Sequence, residues 1–376
     1  MASPYFDFNQ SQEVGQLGRL SLVGSQHSGF HAGMKAVQLL SQGVSGDFKY
    51  HDVPNPTPEP DEVVVKVRAC GLNHLDLWVE ETGGLPIGIE LPRIPGCEIA
   101  GEVAELGADV DQWRIGDKVA VQSNLFCGTC EYCLSGEEAN CLNTSLIGVE
   151  CDGGFAELVK APSRCLVAIP DGVSFETSAA LTLAGSTAMH MLTDRAEVRE
   201  GDWVLVIGAS SGVGSAAIQI ASQLGARVIT TGSTEEKRRF GVQLGAEHAV
   251  DPTQDDWPEE VRRITDKRGV NLVVEHVGAD VLEKVFRCLA RGGTVVTCGA
   301  TAGRKVSFEV WPFFVRQHRL IGSYGRNHAD VNATLQWAAE GRLRPVVHRV
   351  FPLAETADAY NLLRGRQVLG KVLVKP

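Results

Sequence analysis

Cys127, Cys130, Cys133 and Cys141 follow the spacing C-x2-C-x2-C-x7-C within one short stretch. Thiolates so placed can wrap tetrahedrally around a single zinc ion. Four sulfur ligands leave no open coordination position, so such a metal neither binds substrate nor activates water. It folds a surface lobe that has no apolar core of its own. A second constellation is "VLVIGASSGVGSAAIQIA", a strand, a glycine-rich turn and a helix in the order that dinucleotide binding requires. Gly208, Gly212 and Gly214 let the backbone approach a pyrophosphate, with Ser210, Ser211 and Val213 completing the turn at the positive end of the helix. The end of the next strand selects the cofactor. An acidic residue there would hold the ribose 2′-hydroxyl of NAD(H), but "VITTGSTEEKRR" supplies Thr231, Gly232 and Ser233, with Lys237 and Arg238 close behind. This favours the 2′-phosphate of NADP(H), although Lys237 and Arg238 also suit the solvated face of a helix opposite Glu235 and Glu236.

The elements that must carry these groups are of two kinds. Short β-type runs, "DEVVVKVRACGL", "IAGEVAEL", "DKVAVQS" and "FAELVKAP", separated by Gly, Pro and Asp turns, predict a mostly antiparallel β-domain over residues 34–184. After the helix-like stretch "ETSAALTLAGSTAMHMLTD", continuous apolar strands alternate with helical stretches. That pattern predicts βαβ units and a doubly wound parallel sheet over residues 185–323, an α/β fold overall. Residues 324–376 read as two helices and a final strand that return to the first domain. Residues 1–33, poor in charge and without periodicity, read as a loose N-terminal tail.

At 376 residues the chain is long enough for two domains. The formal charge of −11 repels phosphate backbones, so nucleic acid is not the expected partner, and no apolar run is long enough for a membrane span. The ten cysteines cluster with metal-like spacing, and no charged start leads into an apolar signal segment, so a reducing cytoplasmic location fits best.

The order of "GLNHLD", "IPGCEIAGEV", the four-cysteine lobe, "GGFAE", "GSTAMH" and the glycine-rich turn resembles the zinc-type alcohol dehydrogenase branch of the medium-chain dehydrogenase/reductases, with close similarity to quinone oxidoreductases. The resemblance runs from Met34 to Pro376. It implies a GroES-like catalytic domain, a Rossmann cofactor domain, an active-site cleft between them, and a homodimer or homotetramer. Members with a catalytic zinc place Cys, His and Cys or Asp at the positions matching Asn73, Cys97 and Leu183. Of these only Cys97 binds metal strongly, although Asp76 and Glu98 keep the family's nearby carboxylates. Leu75 replaces the hydroxyl residue that relays the alcohol proton. His74 stands where the family often places a basic residue near the pyrophosphate. The aromatics of "VSFEVWPFFVRQHRL" match a region that in relatives serves the dimer contact and the substrate cleft, or that simply packs as core.

Hydride arriving at an isolated ketone leaves a full alkoxide, which needs a Lewis acid. A quinone or α,β-unsaturated carbonyl spreads the incoming charge itself, so hydrogen-bond donors suffice, with Asn73 the leading one. The expected activity is therefore NADPH-dependent reduction of such a small-molecule acceptor, with one structural zinc per chain. A zinc alcohol dehydrogenase using atypical ligands such as Cys97 with Glu98, His74 or Asp76 is the alternative enzyme. A nucleotide-binding protein without catalysis is the alternative of another class.

Overall fold

Six apolar strands form a parallel sheet in the order His248–Val250, Arg227–Thr231, Trp203–Val206, Val270–Glu275, Leu289–Thr297 and Arg319–Gly322. Both faces are covered, which is why these strands read as continuous rather than alternating apolar runs. Val204 and Val206 join one apolar cluster with Ala217 and Ile218 of the helix Gly212–Gln223. Leu205 points the other way, into a cluster with Trp257 and Val261 of the helix Trp257–Ile264. The strand order reverses beside Trp203–Val206, and ligands of such sheets bind at that point, beyond the carboxyl ends of the strands.

The computed structural model describes residues 33–43 and 45–376, so the expected N-terminal tail lies, apart from Gly33, outside the described residues. A second sheet of seven strands runs Val347–Pro352, Lys371–Lys375, Glu62–Leu72, Glu98–Leu106, Lys118–Val121 and Leu166–Ala168, with Leu158–Pro162 also pairing to Glu62–Leu72. It is antiparallel except for its first pair. Two registers in it matter for chemistry: Val372 lies opposite Leu72, and Glu98 lies opposite Gly71. Together they bring Lys371, Glu98 and Asn73, three residues far apart in sequence, to one corner of the sheet.

Two elements differ from the sequence reading. The stretch expected as a helix from Glu176 onward is broken: Phe175–Ala179 ends, Ala184–Met189 starts afresh, and His190–Arg195 continues in a wider π-type turn. The break is held by the buried Glu98 carboxylate, whose Oε1 accepts the backbone N–H groups of Leu183 and Ala184 at 2.7 and 2.9 Å. A helix that needs a partner for its first N–H groups begins where a carboxylate supplies one. The C-terminal segment contains the two expected helices, His328–Ala339 and Thr356–Arg364, and the final strand. It also contains a strand, Val347–Pro352, that lengthens the sheet.

Candidate active site

The glycine-rich turn leaves the Trp203–Val206 strand at the reversal point. Gly208 has φ = +73°, a conformation that side chains with a Cβ rarely adopt. Gly214 permits the tight return, because a Cβ there would sit 2.2 Å from the Gly208 carbonyl oxygen. Ser211 caps the helix by accepting the Gly214 N–H at 2.8 Å, and the N–H groups of Gly212 and Val213 have no acceptor among the described residues. His276, at the end of the neighbouring strand, bridges Ser211 Oγ at 3.1 Å and the Ile207 carbonyl at 2.9 Å.

This turn forms one wall of a cleft of about 380 Å³ whose other walls include Asn73, His74, Leu183, Arg326 and Lys371. His74 is pushed down to about 4, first by burial and then by the charges of His276, Arg366 and Lys371. A histidine held neutral among cations, beside free helix N–H groups, marks a place that fits a pyrophosphate. The residues present therefore suit a dinucleotide. Lys237 also lines the cleft, with its Nζ on the Arg366 carbonyl at 2.8 Å. Arg238 is tied to the Gly232 carbonyl at 2.8 Å and to Asp251 at 3.0 Å, while Ser233 stands exposed at the turn.

At the corner of the antiparallel sheet, Lys371 is 4% exposed and Glu98 is fully buried. Lys371 Nζ donates to Glu98 Oε2 and Asn73 Oδ1, each at 2.6 Å, and to the Leu72 carbonyl at 2.9 Å. The Asn73 amide nitrogen donates to Glu98 Oε2 at 3.0 Å and to the Gly71 carbonyl at 3.3 Å. Asp76 braces the same loop by accepting from Asn73 N at 2.8 Å and Gly96 N at 3.2 Å. The structure thus brings Asn73, Asp76 and Glu98 together as positioned polar groups. The amide hydrogens of Asn73, expected to face a substrate oxygen, are already bonded within the protein. Cys97 is buried beside them, its thiol held well above the usual range by burial and by Asp76, Cys70 and Glu98. Sequence reasoning missed Lys371 and Arg326. A lysine in "GKVLVKP" and an arginine in "SYGRNHAD" belong to no motif.

These donors do not fit a metal in the cleft. Leu183 offers no ligand atom, both Glu98 oxygens and the Asn73 oxygen are bonded, and an ammonium already sits against Glu98. The four-cysteine lobe does fit one. Its sulfur atoms all lie within 4.8 Å of one another, with 3.4 to 3.9 Å between Cys130 and Cys133, Cys127 and Cys133, and Cys130 and Cys141. Tetrahedral zinc–thiolate bonds of about 2.3 Å require sulfur separations of roughly 3.8 Å. Among the described residues this is the only such cluster of three or more His, Cys, Asp or Glu, and every described cysteine is a free thiol.

Asp76 makes the site's pH dependence testable. Burial raises its carboxyl from 3.8 to about 7, against the opposing effects of the Asn73 and Gly96 N–H groups and Lys371. The folded state therefore holds the Asp76 proton more tightly than the unfolded chain. The associated stability is present below 3.8 and is lost as pH rises toward 7. The depressed His74 contributes in the opposite sense, adding stability as pH rises from about 4 to 6.5. Comparing Asp76→Asn with the parent isolates the first effect. Urea midpoints at about pH 5 and about pH 8 should show a smaller alkaline loss in the variant. Identical pH slopes would remove Asp76 as the cause.

A doubly wound sheet with a dinucleotide turn, joined to an antiparallel sheet that closes a polar cleft over it, defines a nicotinamide-dependent oxidoreductase. The Alcohol dehydrogenase GroES-like domain family matches residues 59–171 and the Zinc-binding dehydrogenase family matches residues 212–340. An alcohol dehydrogenase of Geobacillus stearothermophilus is 32% identical over 326 residues, covering 86% of this chain and 95% of its own. An acryloyl-coenzyme A reductase of Sulfurisphaera tokodaii is 31% identical over 344 residues, covering 91% of this chain and 100% of its own. A solved structure of an NAD-dependent alcohol dehydrogenase superposes with a TM-score of 0.86 at 38% identity, over 91% of this chain and 100% of that one. The chain belongs to the zinc-type medium-chain dehydrogenase/reductase superfamily and is an NAD(P)-dependent oxidoreductase. No helix among the described residues is long and apolar enough to cross a membrane.

Proposed function

We propose that this protein is an NADPH-dependent reductase of quinones or α,β-unsaturated carbonyls, with zinc confined to the four-cysteine lobe. The observation that carries this reading is the Lys371–Glu98–Asn73 cluster, in which a bonded ammonium occupies the buried corner around Asn73, the position matching one of the family's metal ligands. Without a Lewis acid beside the acceptor, an isolated alkoxide has little support, whereas an enolate or phenolate delocalises its own charge. The likeness to an acryloyl-coenzyme A reductase supports a conjugated acceptor. The bound cofactor supplies hydride. The chain's part is to hold the phosphates on the glycine-rich turn beside His74, wall the acceptor with Trp78 and Leu183, and keep bulk water from the reacting face. The absence of an acid at the end of the Arg227–Thr231 strand, with Lys237 in the cleft, supports NADP(H) over NAD(H).

Absorbance loss of NADPH across a panel of enones, quinones, aldehydes and ketones tests the reading. Turnover with the conjugated members only is expected, and zinc analysis should give one ion per chain. Turnover with simple aldehydes alone, abolished by a chelator, would establish the metal-dependent alternative. Cofactor choice is read separately. Lys237→Ala should raise KM for NADPH about tenfold, the loss of one charge-assisted bond of roughly 1.5 kcal/mol, and leave KM for NADH nearly unchanged. Equal effects on both cofactors would remove Lys237 from 2′-phosphate recognition.

The aromatic stretch divides. Phe308 and Phe313 pack on Phe286, with ring centroids 5.1 and 5.8 Å from it, whereas Trp311 and Phe314 are 72% and 53% exposed beside exposed Val310 and Val315. An apolar patch of this kind supports self-association, and a homodimer or homotetramer in the cytoplasm is the assembly proposed. Sedimentation of the full chain at the mass of one subunit would exclude it.

A further inference from the structure

Two buried cations face the cleft, and they differ in what their N–H groups are doing. The Lys371 ammonium has an acceptor for each of its donors, in Leu72, Asn73 and Glu98, and none is left for a ligand. Arg326 is 5% exposed, makes no ion pair among the described residues, and spends one nitrogen, Nη1, on Ser123 Oγ. Its Nε is buried without an acceptor, and the bond of Nη1 to Ser123 is the one hydrogen bond its guanidinium makes among the described residues. The nearby acids are committed elsewhere. Glu98 holds Lys371 and the helix start at Leu183, and Asp330 accepts from Asn327 N at 2.8 Å and contacts His190 Nδ1 at 2.9 Å. A guanidinium taken out of water with no carboxylate against it is costly, and proteins keep such a charge where a ligand completes it.

The position of Arg326 is fixed by backbone rather than by charge. Its carbonyl accepts from Gln122 and Asn124, at 3.2 and 3.3 Å, which pins the 325–328 turn to the antiparallel sheet. Ser123, Arg326 and Tyr324 then form the cleft wall together with Leu183 and Cys298, and the same cleft reaches the glycine-rich turn.

We propose that Arg326 is the group that receives the acceptor's carbonyl oxygen, the Nη2 end of its guanidinium donating to the enolate or phenolate oxygen, with Ser123 holding the guanidinium in place. The identity of the ligand rests on the reductase reading. In the reaction the β-carbon gains hydride and the π pair moves onto the carbonyl oxygen. The enolate so formed takes one proton from water at the α-carbon, so the alkene is reduced as the cofactor is oxidised. Arg326 stabilises the oxygen as it gains charge and need not give up a proton. Asn73, bonded on every side, is then a positioning residue for Lys371 and Glu98.

The test uses the full chain with NADP⁺ and 4-nitrophenol, a planar phenol whose ionised form is a delocalised oxyanion and is visible by absorbance. The parent protein should lower the phenol's pKa on binding by at least about one unit. Arg326→Met should lose that shift and bind the phenolate roughly a hundredfold more weakly, while Arg326→Lys keeps most of the shift. Equal ionisation of the bound phenol in Arg326→Met and the parent overturns the assignment. NADPH fluorescence reports whether each variant still folds. If neither does, the parent titration decides, and a phenol that fails to bind or to shift downward overturns the proposal. Because the probe is not reduced, its result stands apart from turnover. A downward shift with no conjugated carbonyl reduced would sink the reductase reading while leaving Arg326 as an oxyanion site.

Discussion

Lys371→Met will destabilise the protein by about 3–5 kcal/mol, because it leaves the Glu98 carboxylate buried with no cation. The geometry makes the effect large. Glu98 has no exposure, and its Oε2 is bonded to Lys371 at 2.6 Å, while its Oε1 is occupied by the Leu183 and Ala184 N–H groups. Protonating Glu98 would relieve the charge but weaken its hold on the start of the Ala184–Met189 helix, so the loss spreads into the wall of the cleft. The double variant Glu98→Gln/Lys371→Met should recover much of the stability, since it removes both charges and keeps an oxygen for the helix start. Urea midpoints for the four proteins of this cycle give the coupling directly. A Lys371→Met protein as stable as the parent would mean that Glu98 finds another partner, and the ammonium would no longer account for a corner closed to metal.

What could be read from the sequence was what is encoded locally. The parallel sheet follows from continuous apolar runs alternating with helical stretches, and the dinucleotide turn follows from glycines placed between a strand and a helix. The four-cysteine cluster is similarly local, its ligands falling within one loop. The polar corner of the cleft is not local. Lys371 reaches the Leu72 carbonyl across 299 positions, by the pairing of the last strand with one near the start of the sheet, and a terminal lysine in an alternating strand reads as solvated. Arg326 is pinned to Gln122 and Asn124 across more than 200 positions and carries no motif. The broken helix was missed for the same reason. Nothing in "ALTLAGSTAM" ends a helix, and the break is imposed by a carboxylate 85 positions away. Asn73 shows the complementary limit: its residue type and place suggested a donor, but only the structure shows where its hydrogens are spent.

On the proposed zinc of the four-cysteine lobe, Cys130→Ser should lower zinc content well below the one ion per chain expected of the parent, and the damage should extend past the lobe. The lobe has little apolar interior: Cys127, Cys130 and Cys133 are only half-buried, and the helix Glu131–Leu134 between them buries no residue. Metal binding contributes about 10–16 kcal/mol in structural sites, and the proposed zinc would be a large part of what folds this lobe. The folded lobe in turn holds the cleft. Asn327 Oδ1 accepts from Ala139 N at 3.0 Å, and Glu138 accepts from His328 N at 3.1 Å, so two contacts anchor the residues that directly follow Arg326. Losing the metal therefore frees the 325–328 turn and takes the guanidinium off its mark, although no cysteine touches the acceptor. Hydrogen exchange should show faster exchange at Asn327 and His328 along with the lobe, and NADPH turnover should fall by tenfold or more, on the order of one misplaced oxyanion donor. A Cys130→Ser protein that is soluble, protected at those amides and fully active would show that the lobe neither needs its metal nor positions the turn.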